Sequence, residues 1–237
     1  MIDPYFPSKP PSGRPAGAPP TLRGADFGPD YVFCTHDHLD HTHPEYLVAL
    51  AQSQPHTHII VTDAGARTLA EAGVEADRTR VVREGDVVAL ADVRVKVLRT
   101  KTKAVEDTPH FSYAFEFEGG KVWHSGDMMR GITSVPELVE PIVAERPDVA
   151  LLTMRPTEGA EFPSFAEGAS LARRIGARVA VPAHHGHYGQ YDYDMDEFVR
   201  QFGPGDSVKP VIIEYCSYHL YKGGAGAPEP LPYGCGR

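Results

Sequence analysis

The chain has 237 residues, 41% of them hydrophobic and 23% charged, and a formal net charge of −9. That length suits one large domain with a real core, and the composition is that of an ordinary globular protein. The negative balance argues against a nucleic-acid or anionic-membrane binder, which needs a cationic face, but leaves room for a small anionic substrate in a locally positive pocket.

Cys34, Cys216 and Cys235 are scattered and form no C-x-x-C pair. They read as idle thiols of a reducing compartment, not as a disulfide framework or a cysteine zinc site. No apolar run approaches the ~18 residues of a membrane span, and the first residues lack the basic-then-apolar order of a signal peptide. The expected location is the cytoplasm, and the expected partner is a small-molecule substrate.

In chain order, a Pro/Gly-rich stretch at 7–24 reads as a loop. Asp30–Thr35 reads as a short buried strand that runs straight into a group of histidines. Pro44 opens a helix carried by Tyr46, Leu47 and Leu50. A strand at His58–Thr62 and a helix at Ala64–Ala72 follow, the helix stopped by Gly73. Strands are then expected at Arg80–Val82, Val87–Leu90, Val93–Leu98, Ser112–Phe117 and Lys121–His124, separated by turns such as Glu84-Gly85-Asp86 and Gly119-Gly120. The second half alternates: helix Pro136–Ala144, strand Asp148–Thr153, helix Phe165–Ile175, strand Arg178–Pro182, helix Met195–Phe202 and strand Pro210–Glu214. Such alternation means sheets with helices packed outside them. One domain over 1–222 is expected, with 223–237 as a flexible tail.

Thr35-His36-Asp37-His38-Leu39-Asp40-His41 carries the pattern H-x-H-x-D-H. Leaving an extended strand, His36 and His38 project the same way, because side chains alternate with period two. The chain then turns, so that Asp40 and His41 face a second point nearby. Imidazole and carboxylate without cysteine suit zinc, manganese or iron. Further candidates stand at strand ends. Asp127, in His124-Ser125-Gly126-Asp127, offers a carboxylate able to bridge two cations, or is a plain turn-former. One of His184 and His185 is a ligand candidate. His110 either completes a set or is a surface histidine. His56, His58, His187 and His219 carry no positional argument and read as structural or surface residues.

With these pieces in hand, the chain resembles a metallo-β-lactamase-fold hydrolase, and within that superfamily it is most similar to the L-ascorbate-6-phosphate lactonase-like branch. The matching segments are CTHDHLDH, SYAFEFEGGKVWHSGD, DVALLT and ARVAVPAHH, spanning Val32 to Phe202. The resemblance implies an α/β fold of the four-layer αββα type with two divalent ions, zinc or manganese, at one edge. It implies that His36, His38 and His110 bind the first ion, that Asp40, His41 and His184 bind the second, and that Asp127 bridges. Family members begin with a β-hairpin leading into a strand that ends in an Asp-Pro like Asp3-Pro4. Because this chain starts at that dipeptide, the first sheet is expected to lack the hairpin and to stand with an uncovered edge, or to be completed by another copy in a homo-oligomer.

The implied chemistry is hydrolysis. Two cations hold a bridging water and lower its pKa, and the resulting hydroxide attacks a carbonyl carbon or a phosphorus. Asp40 and Asp127 are the candidate catalytic residues, Asp40 both as ligand and as orienter of the nucleophile. Lys101, Lys103, Arg130 and Arg155 could hold an anionic substrate, or be ordinary surface cations. Three readings stay open: a lactonase or ester hydrolase on a small, phosphorylated or plain substrate, a phosphodiesterase, and a shortened non-catalytic domain that binds metal or a partner.

Overall fold

The computed structural model describes residues 1–6, 28–156, 161–185, 193–213, 217–223 and 226–234. The whole of the expected 7–24 loop, together with Cys216, Cys235 and His187, lies outside the described residues.

Two sheets carry the described residues around the site. In the first, β1 (Tyr31–Phe33), β2 (His58–Val61) and β3 (Thr79–Val81) run parallel in that order. They are joined by α1 (Pro44–Ser53) and α2 (Asp63–Glu71). Pro44 stands in the first turn of α1, where its missing N–H costs nothing, and Thr62 caps α2 by accepting from the Gly65 N–H. Gly73, at φ +96°, supplies the left-handed turn that stops the second helix, as its position predicts.

The second sheet has the order β10-β9-β8-β7-β6-β5-β4. Its members are β4 (Val87–Ala89), β5 (Val93–Arg99), β6 (Phe111–Phe117), β7 (Gly120–His124), β8 (Val149–Thr153), β9 (Val179–Ala183) and β10 (Lys209–Pro210). The β4–β7 meander is antiparallel, and from β7 to β10 the pairing is parallel. The parallel half needs crossover helices, supplied by α3 (Pro136–Glu145), α4 (Phe165–Arg174) and α5 (Met195–Val199).

The cores give the layers. Tyr46, Leu47, Leu50 and Leu69 of the first two helices pack on Val32, Ile59 and Val61. Phe33 and Ile60, on the opposite face of the same strands, pack on Val88, Val95, Val97, Phe111 and Tyr113 of the second sheet. That sheet's far face, with Ala114, Trp123, Ala150 and Leu152, is covered by Leu138, Val139 and Ile142 of α3, Leu171 and Ala172 of α4, and Phe198 of α5. The period-two alternation of each strand thus feeds two different cores, and the result is the expected helix–sheet–sheet–helix sandwich. Among the described residues, no helix is long and apolar enough to cross a membrane.

Three expectations need correction. The residues taken as a flexible tail include β12 (Glu229–Gly234), which pairs antiparallel with β11 (Ser217–Leu220), and Tyr221 and Ala227 beside them pack against Val149, Val179 and Val181. The strand expected at Pro210–Glu214 is only Lys209–Pro210, with Val211 N still donating to Ala180 O, because Pro210 has no N–H for the ladder. The edge of β1, expected to stand uncovered, carries Met1–Asp3: Phe33 N donates to Met1 O and Asp3 N donates to Phe33 O, both at 2.9 Å.

The two sheets meet where β1 ends. Phe111 N donates to Thr35 O at 2.9 Å, and the Tyr113 hydroxyl donates to Cys34 O at 2.8 Å. Gly126, just after β7, fits under this junction at φ +55°, and a Cβ there would lie 2.5 Å from Phe111 O. Strain and collision with backbone therefore act together. Gly126→Ala should cost about 2–4 kcal/mol, read as a lowered denaturation midpoint in urea. A wild-type midpoint would show that the junction yields.

Candidate metal centre

Each expected ligand sits where a strand begins or ends on one edge of the sandwich. His36, His38, Asp40 and His41 lie on the turn after β1. His110 immediately precedes β6, Asp127 follows β7 by three residues, and His184 directly follows β9. Because β6 runs antiparallel to β7, its start and the end of β7 share that edge. The β1 turn is closed by its own backbone, with His41 N and Thr42 N donating to His38 O and the Thr42 hydroxyl donating to His36 O at 2.6 Å. His184 adopts φ +60°, a left-handed conformation unusual outside glycine.

The structure brings all seven residues together. Three overlapping groups form, His36/His38/His110, His36/His41/Asp127 and Asp40/His41/His184, each with one ligand atom per residue within 4.8 Å of the others. His41 Nε2 lies 3.2 Å from His184 Nε2 and 3.4 Å from Asp127 Oδ2. His184 Nε2 is 3.5 Å from Asp40 Oδ2 and 3.7 Å from Asp127 Oδ1. Of the neighbouring pair His184 and His185, it is His184 that stands in the cluster.

The donor set fits a cation. His36 Nε2 and Asp127 Oδ1 are buried side-chain atoms with no hydrogen-bond partner, and a buried polar atom without one is costly unless something else satisfies it. Imidazole nitrogens with carboxylate oxygens suit borderline divalent ions.

The charges respond accordingly. Burial opposes ionisation of Asp127, but His41, His184 and His36 outweigh it and hold the carboxyl well below the usual range. Burial likewise opposes ionisation of Asp40, yet hydrogen bonding to His184 and the neighbouring His41 bring it to about 2. Burial first, then His41 and His110, push His36 well down, and burial with the Lys101 ammonium brings His110 to about 4. Neutral imidazoles and ionised carboxylates are the forms that bind cations. His41 goes the other way: burial is outweighed by Asp3 and Asp127, which raise it well above the ordinary value.

Asp3, which sequence reasoning did not place at the site, stands directly behind the cluster. Asp3 Oδ1 accepts from Thr35 N at 2.7 Å, and Oδ2 accepts from the Thr35 hydroxyl and from His41 Nδ1, both at 2.8 Å. The Thr35 hydroxyl in turn accepts from His36 Nδ1 at 3.0 Å. One carboxylate thereby holds protons on Nδ1 of both histidines and leaves their Nε2 lone pairs facing the cluster. Asp3 keeps this place at φ +43°, an uncommon backbone for a non-glycine residue. Thirty-two positions separate Asp3 from Thr35, and no periodicity relates them.

Of the candidate anion holders, Lys101 is only 2% exposed and pairs with Glu161, Nζ to Oε1 at 2.5 Å. Arg155 lies over the Phe162 ring at 4.4 Å, and that ring is 5.7 Å from His184. Lys103 and Arg130 are exposed. Cys34 is buried, and burial pushes its thiol up, so it is inert.

Removing the Asp3 carboxylate should weaken divalent-ion binding about 10–100-fold, the usual effect of losing a partner behind a histidine ligand. Asp3→Ala and Asp3→Gly should lose alike, since the glycine also relieves the positive φ, and chelator-competition titration reads both. Wild-type affinity in either variant would remove Asp3 from the centre.

Comparison with known proteins gives the same picture. A domain described as "Beta-lactamase superfamily domain" matches residues 1–185. The chain is 27% identical over 238 residues to a UPF0173 metal-dependent hydrolase of Methanopyrus kandleri, covering 90% of this chain and 88% of that one. Among solved structures it is similar to the metallo hydrolase Igni18 of Ignicoccus hospitalis, with TM-score 0.63, 17% identity, and 80% of this chain and 78% of that one covered. It is also similar to an isothiocyanate hydrolase from Delia radicum gut bacteria, with TM-score 0.64, 18% identity, and 90% and 88% covered. At those identities the structural likenesses speak for the fold alone. With more than three-quarters of its length matched and the histidine motif at the sheet edge, this chain belongs to the beta-lactamase superfamily.

Proposed function

We propose that the protein is a metal-dependent hydrolase with a two-ion centre, acting on a small lactone or carboxylic ester, including phosphorylated ones. The observation that carries this reading is the overlap of the three ligand groups. His36 and His41 each belong to two of them, and Asp127 stands between the His36 side and the His184 side. Seven ligands around one point exceed the needs of one ion, whereas two sets joined by a carboxylate suit two.

His36, His38 and His110 would hold one ion, Asp40, His41 and His184 the other, with Asp127 reaching both. Divalent ions so held supply Lewis acidity and make water a competent nucleophile near neutral pH. The chain's own groups do the rest. Asp40, 27% exposed in its side chain, would orient the attacking water by accepting a hydrogen bond from it. Asp127, almost fully buried, keeps its charge among three histidines and holds the two halves in register. Lys101, buried and paired with Glu161, places a positive charge near His110 and helps keep that imidazole neutral. The lactone and ester preference rests on the resemblance of the VWHSGD and VPAHH segments to the lactonase-like branch.

Dialysis against a chelator should abolish turnover of a lactone panel, and zinc or manganese should restore it. Asp127→Asn should cut kcat/KM at least about 100-fold, about 2.7 kcal/mol of transition-state stabilisation, while the chain stays folded. Hydrolysis of bis(p-nitrophenyl) phosphate in preference to every lactone and ester would replace the ester reading by a phosphodiesterase. Absence of metal-stimulated turnover on all of them would sink both.

A further inference from the structure

One charged group at the cluster is not among its expected ligands. Asp107 lies on the loop between β5 and β6, and its carboxylate touches two of the histidines at once. Oδ2 is 2.7 Å from His38 Nε2, and Oδ1 is 3.1 Å from His110 Nε2. Oδ1 also accepts from Thr108 N at 3.0 Å. The loop is closed at its base, where Thr100 N donates to His110 O at 3.4 Å and the Thr100 hydroxyl donates to Ser125 O at 3.1 Å. Within it, Val105 N and Glu106 N turn back onto Thr102 O, and Glu106 pairs with Arg99. Asp107 is therefore presented by a tied turn, although its side chain is 65% exposed.

His38 and His110 reach the site from different sheets and differ in freedom. The His110 side chain is fully buried, while that of His38 is 40% exposed on the turn after β1. Packing holds the first ring and leaves the second free to rotate unless something fixes it. A carboxylate accepting from Nε2 of each ring leaves Nδ1 as the lone-pair atom, and His110 Nδ1 is buried with no hydrogen-bond partner. This is the arrangement Asp3 makes behind His41 and, through Thr35, behind His36.

We infer that Asp107 is a positioning residue of the first ligand group: by tying His38 to His110 it fixes both rings for an ion, as Asp3 does for His41 and, through Thr35, for His36. The inference rests on the two-ion reading above. Its consequence is selective, because loss of Asp107 loosens one ion and leaves the other.

The test uses the full chain, stripped of metal and titrated with zinc against a chromophoric chelator, and in parallel with cobalt read by its visible absorption. Wild type should take up two ions. Asp107→Ala should bind one of them 10–100-fold more weakly with the other unchanged, and should alter the cobalt spectrum. Asp107→Asn, which keeps one acceptor oxygen, should recover part of the loss. The metal-free melting midpoint should not move, because the side chain is mostly exposed. Unchanged affinity for both ions in Asp107→Ala would overturn the role, as would a loss matched by an equal fall in the metal-free midpoint. Wild type binding fewer than two ions would instead overturn the two-ion reading and this inference with it, before any variant is compared.

Discussion

Two sheets touch backbone to backbone where Phe111 N donates to Thr35 O, and the placement of the ligands follows from that contact. It pins the residue before His36 to the residue after His110, so two histidines from different sheets stack with ring centroids 3.9 Å apart. It also requires Gly126 at the crossing, since a side chain there would meet Phe111 O, and the next residue is Asp127. Asp3 closes the same junction from the N-terminal side by accepting from both polar groups of Thr35. A single crossing thus sets three of the segments that build the cluster, and only His184 arrives independently, on the end of β9.

Such a junction is costly in isolation. Three buried histidines and a buried carboxylate crowd together, and three of their atoms, His36 Nε2, His110 Nδ1 and Asp127 Oδ1, lack a hydrogen-bond partner. Low dielectric makes each unpaired group expensive, and a divalent cation among them would satisfy nitrogen lone pairs and carboxylate charge at once. The surrounding groups prepare for it. Asp3 and Asp107 stand behind the histidines as acceptors, and burial keeps His36 and His110 neutral. The apolar layers and the polar edge draw on different side chains.

The fold narrows the chemistry only so far. Proteins sharing this sandwich at 17–18% identity include a metallo hydrolase and an isothiocyanate hydrolase, so the electrophile is chosen by what lines the open side of the centre. Near the centre stand the Lys101–Glu161 pair, its ammonium buried and its carboxylate exposed, and the Arg155–Phe162 contact, whose ring is 5.7 Å from His184.

The sequence by itself determined the layered α/β architecture and the identity of the clustered side chains. Both are local signals: hydrophobic periodicity marks β1, β2 and the helices, and the H-x-H-x-D-H spacing fixes which way His36 and His38 leave a strand. Strand-end position also singled out His110, Asp127 and the His184-His185 pair. What only the tertiary structure decided depends on contacts between residues far apart in the chain. Periodicity carries no information about Asp3 meeting His41 or Asp107 joining His38 to His110, because neither pair shares an element. The same limit explains why Glu229–Gly234 read as tail: a Pro- and Gly-rich segment has no strand signature of its own and becomes one only by pairing with Ser217–Leu220. Position at the end of β9 left His184 and His185 both open, the resemblance favoured His184, and it is His184, at φ +60°, that stands in the cluster.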